Sequence, residues 1–183
     1  IAILTRASFQ FKDIEDRFIK ENLKYKVVGG LRFYERLEIK DALAYFRILS
    51  DKSDNLAFER IINVPKRGIG PSFIKKLYEL ARSSGISLFE SLEIILKEGN
   101  LQKSLTQKIN LFLTVIDNHT KMLENQDHFD VVGSLLDDIG YTEMFQKDKT
   151  PESEGRLENL KKLIIDIKNR DNEQTTNSNA CIK

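Results

Sequence analysis

The sequence is poor in the residues that build disulfide frameworks and zinc sites. Cys181 is the only cysteine among 183 residues, and the two histidines are His119 and His128. Neither a disulfide-stapled domain nor a cysteine and histidine zinc site can be assembled from these residues. We therefore predict no metal site, and a single cysteine is in keeping with a reducing cytoplasm.

Long nonpolar runs and nucleotide-binding motifs are also missing. No run approaches the roughly 18 residues of a membrane-spanning helix, and nothing resembles a signal peptide. The phosphate-binding pattern G-x-x-x-x-G-K-[ST] is absent, as is an aspartate-rich magnesium motif after a strand. We therefore expect a cytoplasmic protein without a membrane partner, and this chain alone is predicted to be inactive in hydrolysing ATP.

The hydrophobic pattern predicts a mostly α fold with a short α/β segment at its start. Nonpolar runs predict strands at Ile1–Thr5 and Tyr25–Val28, with a helix between them and another after Gly30. Two strands are too few to close a core, and the chain begins without methionine. We therefore expect it to be an internal segment of a longer polypeptide.

From about Asp54 onward the pattern is all-helical, with helix-hairpin-helix-like turns. Pro71 fits a first helical position, and Ser87 with Glu90 fits a capping box. The polar tail Asp171–Asn179 predicts a loop or a disordered segment.

Basic residues gather around one of the predicted turns. Residues 56–82 carry six Lys/Arg against two Glu, a local net charge of +4. Residues 121–160 carry four Lys/Arg against ten Asp/Glu, a local net charge of −6. Because nucleic-acid backbones are bound largely by charge, the first stretch is the better candidate interface.

The turn in this basic stretch contains two glycines and two cations. Glycine lets the backbone approach a phosphate closely, and N–H groups that open a helix point outward with the positive end of its dipole. This pattern is typical of a helix-hairpin-helix clamp on a nucleic-acid backbone, but a tight turn with solvated cations fits as well. The candidate DNA-binding residues here are Lys66, Arg67, Gly68, Ile69, Gly70 and Ser72.

Two weaker DNA-binding candidates lie elsewhere in the chain. Gly140, Tyr141 and Thr142 form a second helix-glycine-helix junction with two hydroxyls, in acidic surroundings. The alternative is a glycine that simply ends a helix. Arg32 and Phe33 open a helix where a cation and an aromatic ring could stack on bases, or pack in the core.

Arg6 directly follows the first predicted strand. Ligands of open α/β sheets bind at the carboxyl ends of strands, where an arginine can hold a phosphate with two hydrogen bonds. By position alone, an ordinary surface arginine is the alternative.

Several blocks of the sequence resemble the UvrD/PcrA/Rep group of superfamily 1A DNA helicases. They are IAILTR with Gln10, VGGLRFYER at 28–36, EIKDALAY at 38–45, FERIINVPKRGIG at 58–70 and RLENL at 156–160. The resemblance spans about residues 1–170, and its middle blocks are long enough to be specific.

The resemblance implies a domain plan for an ATP-dependent 3′-to-5′ DNA helicase. Residues 1–50 are the expected start of the second RecA-like motor domain. Residues 51–170 lead into and form its helical insertion, with the boundary somewhere in 51–105. Residues 171–183 are the expected polar loop that returns to the motor domain. In the full-length parent, ATP and Mg²⁺ are the implied cofactors.

The resemblance also implies roles for single residues. Arg6 matches the arginine of the family's fourth motif that contacts the γ-phosphate, and Gln10 and Lys12 lie in the same nucleotide-binding segment. Thr5 stands where the family usually has a tyrosine that stacks on adenine. Lys12 keeps the charge but not the two-bond geometry of the arginine often found there. The two glycine turns fall where the family contacts duplex backbone.

The implied partners are DNA, held by backbone contacts at a junction of duplex and single strand, and repair proteins. The implied location is the bacterial cytoplasm, in association with the nucleoid. Two alternatives remain open. One is a helical protein-interaction or autoregulatory module, and the other is a helicase subunit of a recombination nuclease.

Overall fold

The computed structural model describes residues 3, 14, 17, 18, 21, 23 and 32–180, with side chains from 33 to 169. The chain divides into two compact units, Ile1–Arg36 and Leu37–Lys183. Apart from Ile3, the two predicted strands lie outside the described residues, as do the predicted nucleotide-binding residues Arg6, Gln10 and Lys12. Those predictions therefore stay predictions.

The described part of the chain is helical, which confirms the mostly α fold class. In the first unit, α1 spans Arg32–Glu35. The described helices of the second unit are α2 Leu37–Ser50, α3 Asn55–Ile61, α4 Pro71–Ser84, α5 Leu88–Lys97, α6 Lys103–Met122, α7 His128–Asp138, α8 Tyr141–Lys147 and α9 Pro151–Ala180. None of the helices in this described part is long and apolar enough to cross a membrane.

Helix α2 lies at the centre of the second unit, where it packs against α3, α6 and α9. Ile39, Tyr45 and Ile48 recur at helical spacing and are fully buried. The polar residues Glu38 and Asp41 on the same helix are buried as well. Because α2 buries both nonpolar and polar side chains among these helices, the compact unit begins at its first residue. The boundary predicted at residue 50 therefore lies inside this unit.

Local sequence signals position the helix starts. The Ser87 hydroxyl accepts a hydrogen bond from the Glu90 N–H at 3.1 Å, and the Glu90 carboxylate accepts one from the Ser87 N–H at 2.8 Å. This confirms the predicted capping box at the start of α5. Pro71 is the first residue of α4, as predicted, because its missing N–H is not needed there.

Three aromatic rings join α3, α5 and α6 in the core. Phe58 lies edge-on to Phe89, with ring centres 5.8 Å apart, and to Phe112, with ring centres 6.4 Å apart. Each of these side chains is almost completely buried. Burying a ring of this size stabilises the fold by roughly 1.5–3 kcal/mol. This cluster packs α3, which leads into the basic turn, against α5 and α6.

Helix α9 is longer than the sequence pattern predicts. Leu160 and Leu163 are buried, and the helix packs against α2, α7 and α8. It continues to Ala180, so the prediction of a polar loop from residue 171 is wrong. No glycine or proline follows Gly155 before Ala180, and polar composition alone does not stop a helix that is already formed.

Candidate nucleic-acid interface

The basic turn predicted as a backbone clamp connects α3 to α4 through residues 62–70. Gly68 has a φ of 86°, in the left-handed region that favours glycine. Gly70 is extended, with φ −95° and ψ 172°, and it immediately precedes Pro71. The two helices are therefore joined by a turn that contains both glycines, and only Gly68 needs the left-handed conformation.

Asn63 organises this turn from the inside. Its Oδ1 accepts hydrogen bonds from the N–H groups of Arg67 at 2.8 Å and Ile69 at 3.3 Å. Its Nδ2 donates to the Ile69 carbonyl at 2.7 Å. One side chain thus satisfies three backbone groups that no helix pairs, which is how asparagine stabilises turns. Asn63 was not among the residues predicted from the sequence, although an amide at the start of a glycine turn is the relevant signal.

Arg67, which the sequence predicts as a DNA contact, is buried, with only 7% of its surface exposed. Its Nη1 donates to the carbonyls of Ile61 and Ile62, both at 2.9 Å, and its Nη2 donates to the Tyr45 hydroxyl at 2.9 Å. Its guanidinium carbon lies 4.6 Å from the centre of the Phe112 ring. Carbonyls at the end of a helix carry partial negative charge and compensate a buried cation. The guanidinium is therefore engaged inside the protein.

The hydroxyl of Tyr45 connects α2 to the turn. It accepts the hydrogen bond from Arg67 and donates one to the carbonyl of Val64. Burial raises the pKa of Tyr45, and the charge of Arg67 opposes that rise only in part. The hydroxyl therefore keeps the proton that it donates to Val64. A buried tyrosine normally has a hydrogen-bond partner for its hydroxyl. The position of Tyr45 in the helical pattern of α2 predicts that it is buried but does not identify that partner.

The groups that the turn presents to solvent are fewer than predicted. Lys66 and Ser72 are exposed, and Lys66 forms no ion pair with the residues that the structure describes. Ile69, another predicted contact, is buried, and both of its backbone groups are bound by Asn63. The groups that the turn exposes are therefore the ammonium group of Lys66, the hydroxyl of Ser72 and the backbone around Gly68.

The start of α4 offers one further backbone donor. Pro71 has no N–H, and the N–H groups of Phe73 and Ile74 donate to the Gly70 carbonyl at 3.1 and 3.2 Å. Within the described part of the chain, the N–H of Ser72 is therefore the donor without an acceptor at this helix start. It lies on the same residue as an exposed hydroxyl, and both groups can donate to an anion.

Two lysines that were not singled out from the sequence extend the basic surface along α4. Lys75 Nζ lies 3.7 Å from Glu79, and Lys76 Nζ lies 3.9 Å from Glu98. Both pairs are exposed, and such pairs contribute little to stability. Their ammonium groups can therefore exchange a carboxylate for a phosphate at low cost. In the sequence, the local net charge is the signal for these two lysines, and net charge does not indicate which cations are exposed.

The second glycine junction, between α7 and α8, is not built like the first. Gly140 has a φ of 77°, and its N–H donates to the Asp137 carbonyl, so it ends α7. Tyr141, a predicted DNA contact, is fully buried and donates a hydrogen bond from its hydroxyl to Asp41 at 2.9 Å. The Thr142 hydroxyl donates to Asp137 at 2.5 Å. Neither hydroxyl is free for a phosphate, and the neighbouring carboxylate repels one.

The predicted stacking residues at the start of the chain pack with each other. Phe33 in α1 is half-buried, and its ring is edge-on to Tyr34 with the centres 5.2 Å apart. The guanidinium carbon of Arg36 lies 6.0 Å from the centre of the Phe33 ring. The side chain of Arg32 lies outside the described residues. DNA contact by Arg32 and Phe33 stays a prediction.

Among the residues that the structure describes, no three His, Cys, Asp or Glu side chains converge as metal ligands. The one described surface that combines a free cation, a hydroxyl and a glycine turn is that of Lys66 and Ser72. Cations and N–H groups are the donors that hold backbone phosphates, which carry no base sequence.

The described residues of the second unit thus form a helical domain in which a glycine turn joins α3 to α4. The chain belongs to the UvrD-like helicase C-terminal domain family, which matches residues 1–182. The resemblance to the UvrD/PcrA group is thereby confirmed.

Individual relatives are similar over most of this chain. It is 44% identical over 164 residues to the DNA helicase II of Rickettsia typhi and to a probable DNA helicase II homolog of Rickettsia conorii. It is 40% identical over 164 residues to the ATP-dependent DNA helicase PcrA of Staphylococcus epidermidis. These alignments cover 90% of this chain, but 25%, 25% and 22% of the respective relatives. The chain thus spans about a quarter of their length.

Proposed function

We propose that this chain works as part of an ATP-dependent 3′-to-5′ DNA helicase in DNA unwinding and repair. Its helical unit contacts the duplex backbone through the turn of Lys66 and Ser72. The observation that carries this proposal is an exposed lysine, without an ion pair among the described residues, on a glycine turn that Asn63 holds in shape. Family membership and the names of the relatives support the helicase assignment.

The proposed contact is independent of base sequence, because it consists of one ammonium group, one hydroxyl and backbone N–H groups. Lys66 supplies the charge, and Ser72 supplies two donors at the positive end of the α4 dipole. Lys75 and Lys76 continue the positive surface along the helix. A junction of duplex and single strand is the proposed DNA partner.

A salt series on the chain tests this contact. Binding to a duplex with a 3′ single-stranded tail is expected to weaken as salt rises. Lys66→Ala is expected to reduce the slope of log K against log salt by about 0.9, the value for one lost phosphate contact. Lys108→Ala is the matched control, because Lys108 is exposed on α6 and carries no ion pair among the described residues. Equal slopes for the two variants would reject the Lys66 contact.

The nucleotide part of the proposal concerns Arg6, Gln10 and Lys12, with ATP and Mg²⁺ as cofactors of the complete helicase. Arg6 is proposed to contact the γ-phosphate and to stabilise charge that develops during phosphoryl transfer. In the complete helicase, Arg6→Ala is expected to lower ATP turnover sharply while DNA binding is retained. Normal turnover in that variant would reject the assignment. The chain alone is proposed to be inactive as an ATPase.

A second candidate function is supported by the acidic part of the helical unit. Residues 121–160 have a local net charge of −6, which does not favour phosphate. The proposal there is a contact with other proteins, including repair proteins, or with the motor itself. If the chain shows no DNA binding, or binding that does not respond to salt, this function is favoured over the backbone contact. A helicase subunit of a recombination nuclease would share the same motor.

A further inference from the structure

Arg67 is next to the candidate phosphate contact, yet its charge is used inside the protein. Its guanidinium donates to the carbonyls of Ile61 and Ile62 at the end of α3, and more distantly to that of Pro65 at 3.3 Å. It also donates to the hydroxyl of Tyr45, 22 residues away in the chain. The bonds therefore link the end of α3, the turn itself and the central helix α2.

Tyr45 completes this link from the other side. Its ring is fully buried in α2, and its hydroxyl donates to the carbonyl of Val64. The backbone on both sides of Lys66 is therefore bound: Val64 through Tyr45, and Arg67 through its own side chain and through Asn63. Lys66 lies between two anchored residues, with its own side chain exposed.

We propose that Arg67 and Tyr45 are positioning residues for the DNA contact of this domain. They hold the backbone of the turn so that Lys66 and the N–H of Ser72 face one phosphate, and they do not touch DNA. This inference rests on the proposed function. Unlike the proposed function, the inference concerns Arg67, the second cation of the turn, and gives it no phosphate contact.

The alternative is that Arg67 swings outward onto a phosphate when DNA binds. That movement would take the Arg67 donor away from the carbonyl of Ile62. It would also remove one hydrogen bond each from the carbonyl of Ile61, which keeps the Val64 N–H, and from the hydroxyl of Tyr45. Buried polar groups without partners are strongly disfavoured. It would also remove the guanidinium from the ring of Phe112. The buried position is therefore expected to persist in the complex.

Salt dependence separates positioning from direct contact. In Arg67→Met the duplex affinity of the chain is expected to fall about tenfold, with an unchanged slope of log K against log salt, because no phosphate contact is lost. Tyr45→Phe, which keeps the ring and removes only the hydroxyl, is expected to lower the affinity severalfold with the same slope. A slope reduced as in Lys66→Ala, or an unchanged affinity in both variants, would overturn the proposal.

A general loss of stability must be distinguished from a local effect on the turn. Leu163→Ala removes buried atoms from α9, which packs against α2, α7 and α8, and it is the control. It is expected to lower the unfolding temperature without changing duplex affinity. If Leu163→Ala and Tyr45→Phe reduce affinity in proportion to their loss of stability, Tyr45 has no positioning role.

Amide exchange gives a readout that does not need DNA. The N–H groups of Arg67 and Ile69 donate to Asn63, and their exchange is expected to speed up at least tenfold in Tyr45→Phe but not in Leu163→Ala. Unchanged exchange in Tyr45→Phe would overturn the proposal even if Lys66 binds DNA. Conversely, an unchanged salt slope in Lys66→Ala would reject the proposed function, and faster exchange would still show that Tyr45 holds the turn.

Discussion

The Tyr141 hydroxyl donates a hydrogen bond to Asp41 Oδ2 at 2.9 Å, although the two residues lie 100 positions apart. The other carboxylate oxygen of Asp41 accepts from Arg60 Nε at 2.6 Å. Asp41 is 5% exposed, so it is a buried charge that is paired on both oxygens. This contact joins α8 and α3 to α2, and it explains why the hydroxyl of the second glycine junction is not offered to DNA.

Removing the Tyr141 hydroxyl is expected to destabilise the helical unit. Tyr141→Phe leaves one buried oxygen of Asp41 without a donor, which costs about 2 kcal/mol because the acceptor is charged. Urea unfolding followed by circular dichroism measures the difference. Tyr78→Phe is the control, since its hydroxyl bonds to Glu59 on the surface, and a change within about 0.5 kcal/mol is expected. Equal losses in both variants would contradict a special role for the buried pair.

The same hydroxyl makes stability fall at high pH. Burial raises the pKa of Tyr141, and the negative charge of Asp41 raises it further. The unfolded chain loses this proton near the ordinary tyrosine pKa of about 10, whereas the folded chain keeps it. The contribution of the Tyr141 hydroxyl to the free energy of unfolding is therefore complete below about pH 10. Above that pH it declines by at most about 1.4 kcal/mol per pH unit.

The measurement for this pH dependence is a comparison of urea unfolding for the wild type and Tyr141→Phe from about pH 8 to about pH 11. The stability difference between them is expected to shrink only at the alkaline end, because the variant lacks the titrating group. A difference that stays constant across the whole range would mean that the folded hydroxyl titrates normally.

The side chain of Asn63 is expected to matter more than its position in a loop suggests. Asn63→Ala leaves the N–H groups of Arg67 and Ile69 and the Ile69 carbonyl without their partner, which costs about 1–3 kcal/mol. Urea unfolding measures the loss, and duplex affinity is expected to fall with it. Asn110→Ala is the matched control, because Asn110 is exposed within α6. Equal stability of the two variants would argue against an organising role for Asn63.

The two glycines of the turn are expected to respond differently to alanine. A Cβ would meet no atom within 4 Å at either Gly68 or Gly70, so the comparison isolates backbone conformation. Gly68 has a φ of 86°, and Gly68→Ala is expected to cost about 1 kcal/mol. Gly70 is extended, and Gly70→Ala is expected to be neutral or slightly stabilising in thermal unfolding. The reverse order would contradict the turn geometry.

Much of the helical unit could be predicted from local pattern. The start of α4 at Pro71 and the capping box of Ser87 and Glu90 are set by neighbouring residues, and both are confirmed. The polar composition after residue 170 predicts a loop, but α9 continues to Ala180, because polar residues alone do not end a helix. The start of the compact unit at Leu37 depends on which helices α2 packs against, and the predicted domain plan stays a prediction.

The sequence by itself determined the starts of α4 and α5, the glycine turn of Gly68 and Gly70 and the helicase family. Only the tertiary structure decided which polar groups face solvent. Lys66 and Arg67 are adjacent cations with the same local signal, yet one is exposed and the other is buried against Tyr45. The reason is physical: a side chain is buried or exposed according to partners that lie far from it in the chain, and residue spacing does not encode them.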